Sequence, residues 1–197
     1  MQPDDAAPEP IAVTAAVTAA LDALGVPYVI GGSIASAVHG VARATRDVDI
    51  IVDLRPEHVR PLVEHLGSAF YADTIAIEAA VSRRTSCNLI HLPTMFKVDL
   101  FVLKPRAWDR EQMARRQRQR LTGRPAPQAD IATAEDVVLA KLEWYRKGNE
   151  VSDQQWRDIL GIIAVQGDRL DRAYLARWAR ELAVEDLLER ALAEAET

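Results

Sequence analysis

An α+β chain, in which a mixed sheet carries helices on one face and is followed by a helical bundle, is what the 197 residues predict. Three observations lead there. Polar and apolar residues exchange in strand fashion through DVDIIVDL and MFKVDLFV. The early segments run β, α, β, α before a group of strands, which is the order of a layered mixed α/β architecture. From Thr133 onward the apolar period is helical throughout.

Taken in order, MQPDDAAPEP reads as a tail over 1–10, and the apolar and alanine-rich stretch Ile11 to Leu24 as a helix closed by Gly25 and Pro27. PYVIGG is then a short buried strand, and Ser33 to His39 a short helix with Ser33 as its cap. DVDIIVDL is the second strand. PEHVRPLVEHL places proline in a first helical turn and Val59, Leu62, Val63 and Leu66 at helical spacing, with Pro61 favouring a start close by. Ala72 to Val81 and Ser86 to Leu92 are β-rich runs, and Met95 to Leu103 is a strand that pairs with its predecessor through the Pro93 turn. Lys104 to Arg124 holds eight basic and two acidic residues, a run that suits a solvated helix face or a contact to nucleic-acid phosphates. GRPAPQAD reads as a linker, after which helices are expected near 133–147, 152–165, 171–182 and 184–195. The domains are therefore a sheet domain over 11–124 and a helical domain over 125–197.

Composition narrows the class of function. At 49% hydrophobic the chain can bury a substantial core, and a net charge of −5 does not advertise nucleic acid. The one cysteine, Cys87, excludes an intrachain disulfide and fits packing better than nucleophilic catalysis. No run approaches the roughly 18 apolar residues of a membrane span, and the acidic start is unlike a signal peptide, so a cytoplasmic protein with no membrane partner is expected. His39, His58, His65 and His91 lack metal-ligand spacing, and Trp144, Trp156 and Trp178 suit packing between helices.

The chemistry concentrates on three aspartates. Alternation puts Asp47 and Asp49 together on one face while Val48, Ile50, Val52 and Leu54 face the core. Paired carboxylates repel unless a cation lies between them, and a hard divalent ion such as Mg²⁺ (or Mn²⁺) takes such oxygens readily. A strand with an ordinary charged, solvent-facing side is the alternative. Asp99 occupies the polar side of MFKVDLFV, so if the two strands are neighbours, three carboxylates converge and suit two metal ions. Lys97 then either flanks that site and screens phosphate or is an exposed strand lysine. The Gly31-Gly32-Ser33 turn offers backbone N–H groups to an anion at a helix start, or is a plain strand-to-helix turn. Arg43 and Arg46, just before the acidic strand, either steer a triphosphate or lie in solvent.

Gly31-Gly32-Ser33, thirteen residues, Asp47-Val48-Asp49 and then Asp99 in a later strand resemble the pattern of the DNA polymerase β-like nucleotidyltransferase superfamily. The resemblance spans roughly Val26 to Leu103 and implies a palm-like mixed sheet, two divalent metals and a nucleoside triphosphate donor, with transfer of a nucleoside monophosphate and loss of pyrophosphate. It implies metal binding by Asp47, Asp49 and Asp99, with Asp99 nearest the acceptor oxygen. More weakly, EDVVLAKLEWYR and QQWRDILGI are similar to minimal nucleotidyltransferases of the AbiEii toxin type. By that similarity Lys141 contacts triphosphate and Asp158 orients or deprotonates the acceptor; an interhelical Lys141–Asp158 ion pair is the competing reading. The 197 residues are not expected to include the large C-terminal domain of many such toxins, which counts against toxin activity. The acceptor is left open among tRNA or another RNA, a protein side chain and a small hydroxylated compound, and a cognate toxin or antitoxin is an expected partner class. A non-catalytic nucleotide-binding or toxin-neutralising module is the other functional class these residues fit, and a structural partner protein, binding neither metal nor nucleotide, is a third.

Overall fold

The computed structural model describes residues 9–42, 44–45, 47–121 and 127–195. Residues 1–8 of the tail expected over 1–10, Arg43, Arg46 and half of the expected linker, including Arg124, lie outside them, whereas Glu9 and Pro10 already belong to the first helix. Contacts divide the chain into two compact units, one of Met1–Ser33 with Ala44–Ile131, the other of Ile34–Arg43 with Ala132–Thr197. The unit boundary thus falls at Ile131, past the 124/125 division drawn from sequence, and a short early segment belongs with the helices.

Among the described residues the first unit holds a seven-stranded mixed sheet. Its strands are β1 (Tyr28–Ile30), β2 (Asp47–Val52), β3 (Phe70–Tyr71), β4 (Ser86–His91), β5 (Phe96–Val102), β6 (Gln117–Arg120) and β7 (Gln128–Ile131), in the order β3-β4-β5-β2-β1-β7-β6. The β1–β2 and β4–β5 pairs are antiparallel, whereas β2–β5 and β1–β7 are parallel. Helices α1 (Glu9–Ala23), α3 (Pro56–Leu66), α4 (Thr74–Arg83) and α5 (Ala107–Arg115) accompany it, with α1 against β2, β5 and β7 and α4 against β4. The sheet's apolar face is closed: Ile50, Val52, Leu89, Val98 and Leu100 are buried. Burying side chains of this size stabilises the fold by about 1.5–3 kcal/mol each before entropy is subtracted.

The short helix α2 (Gly32–His39) begins one residue before the sequence reading, so Ser33 sits inside its first turn. The helical unit continues with α6 (Ala134–Lys147), α7 (Asp153–Gln166), α8 (Arg172–Glu181) and α9 (Glu185–Ala195), close to the four expected helices. Side-chain caps explain the starts of α6, α7 and α8: Thr133, Ser152 and Asp171 each accept a backbone N–H of the first turn. α6 packs on α7 and α8, and α7 on α9.

Three expectations are corrected. Ala72 to Val81, read as β-rich, falls mostly in α4, because the Asp73 carboxylate caps the N–H groups of Ile75 and Ala76 and the helix buries Ile77, Ala80 and Val81 at helical spacing. The basic run is not one helix face. It divides into α5 and strand β6, and β6 pairs with β7, a strand that begins inside the expected linker. Its arginines serve the fold: Arg118 reaches Asp22 (2.7 Å) and the Tyr28 hydroxyl (3.1 Å), Arg116 reaches Asp130 (3.0 Å), and Arg106 pairs with Asp109. Finally, Trp156 and Trp178 are buried but Trp144 is 51% exposed, since the buried stripe of α6 runs through Val137, Val138, Lys141, Leu142 and Tyr145.

Candidate functional site

Strands β2 and β5 are direct neighbours, and their parallel register sets Asp49 opposite Asp99 and Asp47 opposite Lys97. In-register residues of adjacent strands share a face, so all four side chains project from the side away from Val48, Ile50, Val98 and Leu100. The burial pattern agrees: every second residue of both strands is buried, and Asp47, Asp49, Lys97 and Asp99 are half-buried between them.

The glycine turn closes on the same aspartate. The Gly31 N–H donates to the Asp49 carbonyl (2.9 Å), and Gly32 has φ of +54°. A Cβ on Gly32 would stand 1.8 Å from Asp49 Oδ2, so the turn backbone and this carboxylate lie in contact because the residue is glycine. Ser33 follows in the first turn of α2, and Thr45 donates its hydroxyl to the Asp47 carbonyl (2.8 Å).

Electrostatically, Lys97 is the counter-charge. Its Nζ lies 2.8 Å from Asp99 Oδ2. The hydrogen bond to Asp99 is the main reason its pKa is raised, and the charges of Asp99, Asp47 and Asp49 all act in the same direction. One ammonium thus feels all three carboxylates. The donor set fits a hard divalent cation in chemical type and in register. Among the described residues no group of three or more His, Cys, Asp or Glu side chains is arranged to hold a metal ion.

Asn88 is absent from the sequence reading and belongs to the same row. It pairs in register with Asp99 from β4, on the exposed side of a strand whose Cys87 and Leu89 point inward. The alternation in SCNLIH is the signal that finds it. Cys87 is no nucleophile: burial first, then the Asp99 charge, push its thiol up to about 11.

In the helical unit Lys141 and Asp158 form an ion pair of 2.9 Å, each side chain only 9% exposed. This is the interhelical pair that competes with their assignment to substrate. Asp158 also lines a cleft of about 440 Å³ with Ser36, Val41, Gln154, Arg157 and Gly161. His39 contacts the Ala132 carbonyl (2.7 Å) and is structural.

No protein-family model matches the chain, and no curated protein matches it. Solved structures do. An antigenic nucleotidyltransferase-like protein from Paracoccidioides brasiliensis aligns over 94% of this chain and 92% of its own, at 17% identity and a TM-score of 0.49. The antibiotic-resistance factor ANT(2'')-Ia, known from a solution structure, aligns over 91% of this chain and 96% of its own, at 11% identity and a TM-score of 0.53. The likeness is one of fold. It agrees with the mixed α/β architecture expected from the sequence. Among the described residues no helix is long and apolar enough to cross a membrane.

Proposed function

We propose that the protein is a metal-dependent nucleotidyltransferase, moving a nucleoside monophosphate from a nucleoside triphosphate to an acceptor hydroxyl. The observation that carries this reading is the register Asp49–Asp99, with Asp47 on the same face and the Gly32 backbone against Asp49. Like charges held together on a sheet repel, so a row of three carboxylates with one ammonium beside it leaves negative charge that suits a further cation.

Asp47, Asp49 and Asp99 are the residues that would hold Mg²⁺, which when bound would supply charge neutralisation at the phosphates. The chain's own contribution is placement. The Gly31-Gly32-Ser33 turn sets the start of α2 directly against Asp49, and the missing Cβ of Gly32 is what allows that approach. Lys97 adds a mobile positive charge beside Asp99. In the transfer, the acceptor oxygen forms a bond to the α-phosphorus, the bond to pyrophosphate breaks, and the acceptor proton passes to a carboxylate oxygen of Asp99. Phosphoryl transfer asks mainly for positioning and charge stabilisation, and this face provides both.

Pyrophosphate release from each NTP with Mg²⁺ tests the reading. Asp49→Asn is expected to lower it by about a hundredfold or more; wild-type release in that variant sinks the assignment. The acceptor is found by incubating the protein with labelled NTPs and cell extract. Label on RNA supports the AbiEii-type toxin reading, and label on a small hydroxylated compound supports the resistance-factor reading that the fold likeness suggests.

A further inference from the structure

We infer that Lys97 is a built-in counter-cation that competes with the divalent ion for Asp99, so that metal and nucleotide bind cooperatively. The inference rests on the metal-site reading above and adds a regulation of that site.

The geometry points to competition because Asp99 is already engaged. Lys97 Nζ stands 2.8 Å from Asp99 Oδ2, and Lys97 lies in register with Asp47 on the neighbouring strand. The lysine side chain is 43% exposed against 14% for Asp99. The carboxylate is therefore fixed by the sheet, while the ammonium reaches it from solvent on a flexible four-carbon stem and is able to leave. Two cations held at one carboxylate row repel each other, so binding of a divalent ion to Asp99 favours withdrawal of Lys97. Without nucleotide the withdrawn ammonium exchanges a carboxylate for water. With a triphosphate present it gains a new anion two residues from Asp99. Lys97 thus weakens metal binding to the free protein and restores it when nucleotide arrives, and the coupling is reciprocal by linkage. The ammonium also offsets the mutual repulsion of the three carboxylates on this sheet face.

The test is the affinity of the full chain for Mn²⁺, read from the electron paramagnetic resonance of the free ion, with and without a non-hydrolysable NTP. Removing the charge in Lys97→Met is expected to tighten Mn²⁺ binding in the absence of nucleotide by about tenfold, within the usual span of such couplings. Lys97→Arg keeps the charge and stays near wild type. Nucleotide tightens Mn²⁺ binding to wild type and does so less in Lys97→Met. If Lys97→Met is unfolded by circular dichroism, Lys97→Gln takes its place with the same expectation. Equal or weaker Mn²⁺ binding in the folded neutral variant, with wild type binding, overturns the competition and leaves the metal site standing. Failure of wild type and all variants to bind Mn²⁺ under either condition removes the metal site itself.

Discussion

A Cβ on Gly32 would meet Asp49 Oδ2 at 1.8 Å and its Cγ at 2.7 Å, at a residue whose φ is +54°. Two costs therefore add in Gly32→Ala. The left-handed backbone costs about 1–2 kcal/mol in a non-glycine residue, and overpacking typically costs about 1–3 kcal/mol more. We expect a loss of about 2–5 kcal/mol in urea unfolding. The second part belongs to a contact with one carboxylate, so the double variant with Asp49→Gly recovers it and the pair is non-additive. Strict additivity would place the whole cost in the backbone and dissolve the contact between the turn and the site.

At the scale of elements, legibility followed how local each signal was. β2 and β5 were legible because alternation alone assigns a face to each residue, and the three aspartates were found by the same rule. Their adjacency was only a condition in the sequence, since pairing joins residues about fifty positions apart; the parallel register supplies it. The four helices after Thr133 carry helical periodicity, and α6, α7 and α8 also carry polar caps. β6 was illegible because QRQR has no apolar face: it is placed by pairing with β7 and by the reach of Arg118 to Asp22. α4 misled because TIAIEAAV is rich in β-branched residues, and propensity yields to a cap and a buried stripe. That cap is testable. Asp73 Oδ1 accepts from Ile75 N at 2.9 Å and from Ala76 N at 3.2 Å. Asp73→Ala should cost about 1 kcal/mol in denaturant unfolding, while Asp73→Asn stays close to wild type. An alanine variant as stable as the parent would mean that packing of Ile77, Ala80 and Val81 alone sets the start of α4.

At the scale of the molecule, the sheet unit is assembled from two separated stretches of chain, so its strands are expected to open together. Cys87 reports on that opening. It is 7% exposed, on β4 opposite Leu100, with its thiol raised from 9.0 to about 11 by burial and then by the Asp99 charge. A shift of that size leaves the native thiol with about a hundredfold less thiolate near pH 8 than an unperturbed one. Labelling by a thiol reagent should therefore run through the opened state, at a rate set by the opening free energy. Two signatures follow from this route. The labelling rate should rise with urea along the slope of global unfolding, and Gly32→Ala should accelerate it by the factor that its loss of stability predicts. Rapid labelling of the native protein, insensitive to urea and to Gly32→Ala, would show instead that the β4–β5 region opens locally. The carboxylate row would then rest on the least stable part of the sheet rather than on its most protected strands.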